Sequence, residues 1–208
     1  MHIPDGLLRP ELVAGLGAVS VAGVAVAARR AGRELEEKSV PLVGVMGAFV
    51  FALQMLNFPL AAGVSDHIVG GALLAIVMGP SVAVLAMAAI LVIQAFVFAD
   101  GGVAALGANV FNMAIVSVLS AWLLHRFLKS RLGSAAVLVA TFVAVLLGSA
   151  AAALEIIASQ PYGLKFFGLM AGTHAVSGAV EAVVTLAVVK ALATSKVGVL
   201  QRQEVANV

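Results

Sequence analysis

The residues best equipped for chemistry are the first six, Met1-His2-Ile3-Pro4-Asp5-Gly6. The amine of Met1, the backbone nitrogen of His2 and the His2 imidazole follow one another along the chain. Bound to one ion they close small chelate rings and fill three corners of a square. A fourth nitrogen would complete the planar site that Cu(II) or Ni(II) prefers. Pro4 fixes one backbone torsion and Gly6 frees another for a turn. Taken alone, the same residues also suit an ordinary disordered tail. No cysteine is present among the 208 residues, so histidine, carboxylate and backbone groups must carry any metal chemistry. The other chemistry-bearing residues are His67, His125 and His174, the acids Asp66, Asp100, Glu155 and Glu181, and the amides Gln54, Asn57, Gln94, Asn109 and Asn112.

The elements that must position these groups are apolar. The chain is 62% hydrophobic and 11% charged, with a mean hydropathy of +1.14, whereas soluble domains carry about 25% charged residues. At roughly 20 residues per span, six or seven membrane helices fill it, with no room for a soluble catalytic domain. The apolar runs predict helices over residues 12–28, 41–56, 68–78, 81–99, 106–127, 134–158 and 167–193. The third is too short to cross alone, so the 57–67 connection is expected to dip into the protein, with His67 shielded from solvent. Ala14, Ala18 and Ala22 lie at four-residue spacing on the first helix, a small-residue face of the kind on which helices pack closely.

Seven spans place the termini on opposite sides, and the basic residues orient them. With the amino terminus outside, Arg29, Arg30, Arg33, Lys38, Arg126, Lys129, Arg131, Lys190, Lys196 and Arg202 fall inside, and only Arg9 and Lys165 outside. The expected fold is therefore an all-α polytopic membrane protein of seven helices, amino terminus out and carboxyl terminus cytoplasmic. Residues 1–194 form one membrane domain, comprising a 1–10 amino-terminal segment folded back into the outer side of a 12–193 bundle. Residues 195–208 form a cytoplasmic tail. His2, Asp5, Asn57, Asp66, His67, Asp100, Asn109, Asn112 and His174 then gather on the outer side, while His125 sits at the inner boundary. No basic stretch precedes the first apolar run, so Met1 is expected to open the mature chain with its amine free.

The opening Met1-His2-Ile3-Pro4-Asp5-Gly6 carries a resemblance together with several later stretches. These are Gln54-Met55-Leu56-Asn57-Phe58-Pro59, Ser65-Asp66-His67 with Gly70-Gly71-Ala72, and Gln94-Ala95. They continue with Asp100-Gly101-Gly102, Leu106-Gly107-Ala108-Asn109 and Phe111-Asn112-Met113, and with His174, Gly178 and Glu181. From Met1 to about Val189 the chain resembles the CbiM/NikM family, the substrate-capture (S) components of energy-coupling-factor importers for cobalt and nickel. The resemblance implies a metal site made by the Met1 amine, the His2 amide nitrogen and imidazole, and the His67 imidazole. It implies Ni2+ as the transported ligand, with Co2+ possible, and no resident cofactor. Asp66 departs from the commoner pattern, which has Gly before this histidine.

Around those ligands, Asp5, Asn57, Asp66, Asp100, Asn109, Asn112, His174 and Glu181 are the candidate supporting residues, suited to hold loop and ligands by hydrogen bonds. Glu155, Gln54 and Gln94 suit bonds between helices. No GxxxxGK[ST] phosphate loop occurs, so the chain is read as a transporter subunit without an ATPase site, not an enzyme. The family implies partners: a transmembrane coupling protein, ATPase subunits and a small accessory membrane protein, in a prokaryotic cytoplasmic membrane. No nucleic-acid partner is expected. Two rival classes are an autonomous metal channel or secondary transporter, and a metal-dependent intramembrane hydrolase. The hydrolase would need an open coordination position and a nearby base, and the channel ionisable groups at mid-membrane.

Overall fold

The structure is a computed structural model and describes residues 1–56, 58–61 and 64–194. Asn57 and the 195–208 tail lie outside the described residues. Helix α1 covers Pro10–Glu34 and starts on a proline, whose missing N–H costs nothing in a first turn. After the 3-10 turn Glu37–Ser39 comes α2, Val40–Gln54. A two-stranded antiparallel hairpin follows, β1 Phe58–Ala61 and β2 Val64–Asp66, with Phe58 opposite Asp66. Helices α3 (Gly71–Met78) and α4 (Pro80–Val97) are separated by Gly79, whose φ of 77° ends one helix and turns the chain into the next. A single long helix, α5, runs Leu106–Leu132 and contains a π-helical stretch, Val110–Ser117. Helices α6 (Ala135–Ser159) and α7 (Leu164–Thr194) complete the bundle.

Among the described residues, five helices are long and apolar enough to cross a membrane: α1, α4, α5, α6 and α7. The shortest of them, α4, has 18 residues, or ~27 Å of helix. Helix α2, with 15 residues, and α3, with 8, fall below that length. All eight residues of α3 are buried. A helix apolar on every side belongs at the centre of a bundle, and α3 packs there against α4, α5 and α7.

Three features of the structure add to the sequence reading. Within the chain α1 does not pack through Ala14, Ala18 and Ala22, which are exposed and open to contacts outside the chain. It packs through Gly17, Ser20, Gly23 and Ala27, a neighbouring stripe whose small residues let α5 approach. A Cβ on Gly107 of α5 would lie 2.5 Å from the Gly17 Cα, and the Ser20 hydroxyl donates to the Gly107 carbonyl at 2.7 Å. His125, expected at the inner boundary, is buried against protein, with 3% of its surface exposed. Finally, the fifth helix is not a regular α-helix, because the π-helical stretch shifts its register between Asn109 and Val118.

Candidate metal centre

The amino-terminal segment lies against the bundle as a strap, anchored along its length. Ile3 is 1% exposed and packs with Leu8, Ala105, Ala108, Ala152 and Ile156. Its backbone is clamped at both ends by one side chain: Ile3 N–H donates to Asn109 Oδ1 at 2.8 Å, and Asn109 Nδ2 donates to Ile3 O at 3.1 Å. The Gly102 N–H donates to the same carbonyl at 2.9 Å. Asp5 accepts from the backbone N–H groups of Val103 and Ala105, at 3.1 and 3.0 Å. Gly102 is glycine because the strap leaves no room for more, a Cβ there overlapping the Asp5 carboxylate and backbone nitrogen. Gly6, with φ 86°, makes the turn out of the strap. At its far end Arg9 N–H donates to Ser159 Oγ at 3.1 Å and Gln160 Nε2 to Leu7 O at 2.9 Å. Each such bond is worth about 0.5–1.5 kcal/mol net, and a buried group left without one costs more.

This anchoring buries the chain start. Met1 is 6% exposed, and its thioether packs beside Gly148 of α6, 3.3 Å from where a Cβ would stand. Its amine lies 3.4 Å from His67 Nε2, and the His2 and His67 rings sit with centroids 4.7 Å apart. The Nδ1–H of His67 donates to the Ile68 carbonyl at 2.9 Å. That bond fixes the tautomer, leaving the Nε2 lone pair facing the Met1 amine. The His2 ring, 6% exposed, donates from Nδ1 to Asp100 Oδ1 at 2.9 Å. The three sequence-predicted ligand residues therefore converge on one shielded spot.

The electrostatics disfavour protonation of those nitrogens. Burial pushes the Met1 amine below its usual value, against the pull of the Asp66 and Asp100 carboxylates. Burial likewise lowers His2, partly offset by its bond to Asp100. It drives His67 well down, helped by the neighbouring amine and His2. Asp100 moves the other way from its burial: the hydrogen bond from His2 holds its carboxyl below the ordinary value, so it stays anionic. Nitrogens shifted toward their neutral forms beside an anionic carboxylate suit a cation.

The supporting candidates fall into layers. Asp66 is fully buried, accepts from His67 N–H at 2.8 Å, and faces His174 Nε2 at 3.3 Å, an ion pair when that imidazole carries both protons. His174 Nδ1–H donates to Met170 O at 2.8 Å. Glu181 of α7 receives the N–H groups of Val69 and Gly70 at 2.6 and 2.9 Å, tying down the stretch that carries His67. Gln94 donates to Gln54 at 2.7 Å and Gln54 to Val69 O at 2.6 Å, joining α4 and α2 to that stretch. Asn112 donates to Glu155 Oε2 at 2.8 Å and joins α5 to α6, and its backbone carbonyl flanks Gly148 beside the Met1 thioether. Sequence reasoning missed Gly148 and the Ile3 backbone. Only the short Gly-Ser step inside an alanine-rich helix hinted at the former.

Comparison with known proteins agrees with this architecture. Residues 2–198 match the family described as CbiM, cobalt uptake substrate-specific transmembrane region. A Haloquadratum walsbyi protein, named provisionally as a metal transport protein, is 43% identical over 202 residues, 94% of this chain and 91% of that one. The cobalt transport protein CbiM of Acetoanaerobium sticklandii is 30% identical over 90% of this chain and 82% of its own. The crystal structure of a truncated transition metal transporter superposes with a TM-score of 0.87 at 35% identity, covering 92% of this chain and 98% of that one. The chain belongs to the CbiM family.

Proposed function

We propose that the protein is the substrate-capture component of an ATP-driven energy-coupling-factor importer that takes Ni2+, or Co2+, from the outer side in a square of four nitrogens. The donors are the Met1 amine, the His2 amide nitrogen, the His2 imidazole and His67 Nε2. The observation that carries this reading is the buried approach of the Met1 amine to the His67 Nε2 lone pair beside the His2 ring. The amine and amide of consecutive residues close a five-membered chelate ring, and the amide with the same residue's Nδ1 a six-membered one. A planar four-nitrogen site selects Ni(II) over Co(II) and Zn(II) by geometry, with Cu(II) favoured by raw affinity alone. Asp66, Asp100 and the Asn109 clamp hold the donors in place, as outer partners of metal ligands do.

The partners in this reading are a transmembrane coupling protein, ATPase subunits and a small accessory membrane protein, in a prokaryotic cytoplasmic membrane with the amino terminus outside. Helix α1 is the face for coupling: only 11% of its apolar window is buried within the chain, against 56% for α4, and Ala14, Ala18 and Ala22 point outward. The test is nickel binding to purified protein beside a variant with one residue added before Met1. The natural chain is expected to hold about one nickel with a planar-complex absorption spectrum, and the extended chain none. Equal binding by both would refute the amino-terminal site.

A further inference from the structure

The imidazole of His2 is turned the wrong way for the chelate. The six-membered ring needs Nδ1, the only imidazole nitrogen that shares an ion with its own residue's amide. In the structure Nδ1 is committed to Asp100 Oδ1 at 2.9 Å. His2 Nε2 and Asp100 Oδ2 are both buried and without a hydrogen-bond partner among the described residues. Buried polar atoms of that kind call for an explanation. A histidine bound to a metal through one nitrogen almost always donates its other N–H to a carboxylate or carbonyl. Here the free nitrogen and the free carboxylate oxygen lie on the same pair of side chains.

Resting on the four-nitrogen reading, we propose that Asp100 is a positioning residue that exchanges its hold on His2. It accepts Nδ1–H before capture and Nε2–H afterwards, as the ring reverses about its Cβ–Cγ bond and turns Nδ1 to the ion. The proton count balances within the ring: Nδ1 gives up its proton, Nε2 gains one, and the imidazole is neutral throughout. The fold keeps Asp100 in place for both states. It lies between Ala99, with φ 53°, and Gly101, with φ 85°, and its backbone N–H donates to Gln94 O at 3.0 Å. A left-handed non-glycine residue is uncommon and strained, consistent with a carboxylate whose position is fixed by the turn. Asp100 thereby stabilises both the empty and the loaded orientation and retains no anion-to-metal bond of its own.

The test uses the full chain in lipid nanodiscs with 15N-labelled histidine and Ni2+ as the probe, since a planar Ni(II) complex is diamagnetic and leaves ring signals visible. Without metal, His2 is expected to carry its proton on Nδ1; with nickel, on Nε2. Asp100→Ala is expected to speed nickel release by about 10–100-fold. Asp100→Asn, which keeps an acceptor oxygen, should recover most of that loss. An unchanged His2 tautomer on loading, or a release rate unmoved by Asp100→Ala, would overturn the exchange. The one-residue extension separates the two levels. If nickel binding requires the natural start but the tautomer does not change, the exchange alone fails. If the extended chain binds nickel normally, or loading erases the His2 signals by paramagnetic broadening, the planar site fails and the exchange with it.

Discussion

The strap and the helix that follows it are adjacent in sequence and opposite in construction. Residues 1–8 are held by directed polar bonds, with Ile3 alone engaging Asn109 twice and Gly102 once. Helix α1 is held by close backbone approach at Gly17 and Gly107 and by one hydroxyl bond from Ser20, and most of its surface faces away from the bundle. Directed bonds fix donor atoms to within fractions of an ångström, which a chelating site needs. Apposed small residues fix only a distance and leave the other face free for another helix. In the proposed function the two segments divide metal capture from assembly.

That division can be broken first at the strap. Gly102→Val places side-chain atoms where the Asp5 carboxylate and backbone now lie. It is expected to dislodge the strap and weaken nickel binding by more than ~100-fold, beyond the usual effect of an outer partner, with helical content by circular dichroism unchanged. Asn109→Ala removes both side-chain bonds to Ile3 and leaves its buried N–H unpaired, while the carbonyl keeps its bond from Gly102. At about 1–3 kcal/mol for that group, an affinity loss of at least ~5-fold is expected in titration calorimetry.

Acidification acts more gently. Burial lowers the Met1 amine and His67, and proton competition at those ligands therefore begins at lower pH than for exposed groups. The remaining proton to leave is that of the His2 amide, so log Kd is expected to rise by about one per unit of pH lost near neutrality, measured by competition with a chelator. A slope of two would mean the Met1 amine is still protonated there. Ala18→Leu on the exposed face of α1 is expected to have the smallest effect on capture, less than ~2-fold in Kd, since surface changes rarely exceed 0.5 kcal/mol. It is expected to reduce uptake in cells that carry the partner subunits. Loss of binding in this variant would show that the two segments are not separate.

The sequence made some parts of this molecule legible for definite reasons. The strap's donors are consecutive, so their chelating capacity can be read from covalent connectivity alone. The shielding of His67 follows from an apolar run too short to span, and the structure finds it 3% exposed before an eight-residue buried helix. Gln54, Gln94 and Glu155 stand in apolar stretches and had to find partners across helices, which they do. What stayed hidden depends on relative placement of helices. Two small-residue stripes run along α1, Ala14-Ala18-Ala22 and Gly17-Ser20-Gly23, and composition does not say which one meets α5. The π-helical stretch has no sequence signal in Val110–Ser117. The burial of His125 is a matter of helix packing that its basic neighbours in sequence do not signal.

The central claim is a planar ring of four nitrogens at the chain start, and nickel X-ray absorption on the loaded full-length protein reads it most directly. The account predicts four nitrogen neighbours, two of them from imidazole rings, with the edge feature of a square-planar centre, and its loss in His67→Ala. A six-coordinate spectrum dominated by oxygen, unchanged in His67→Ala, would contradict it.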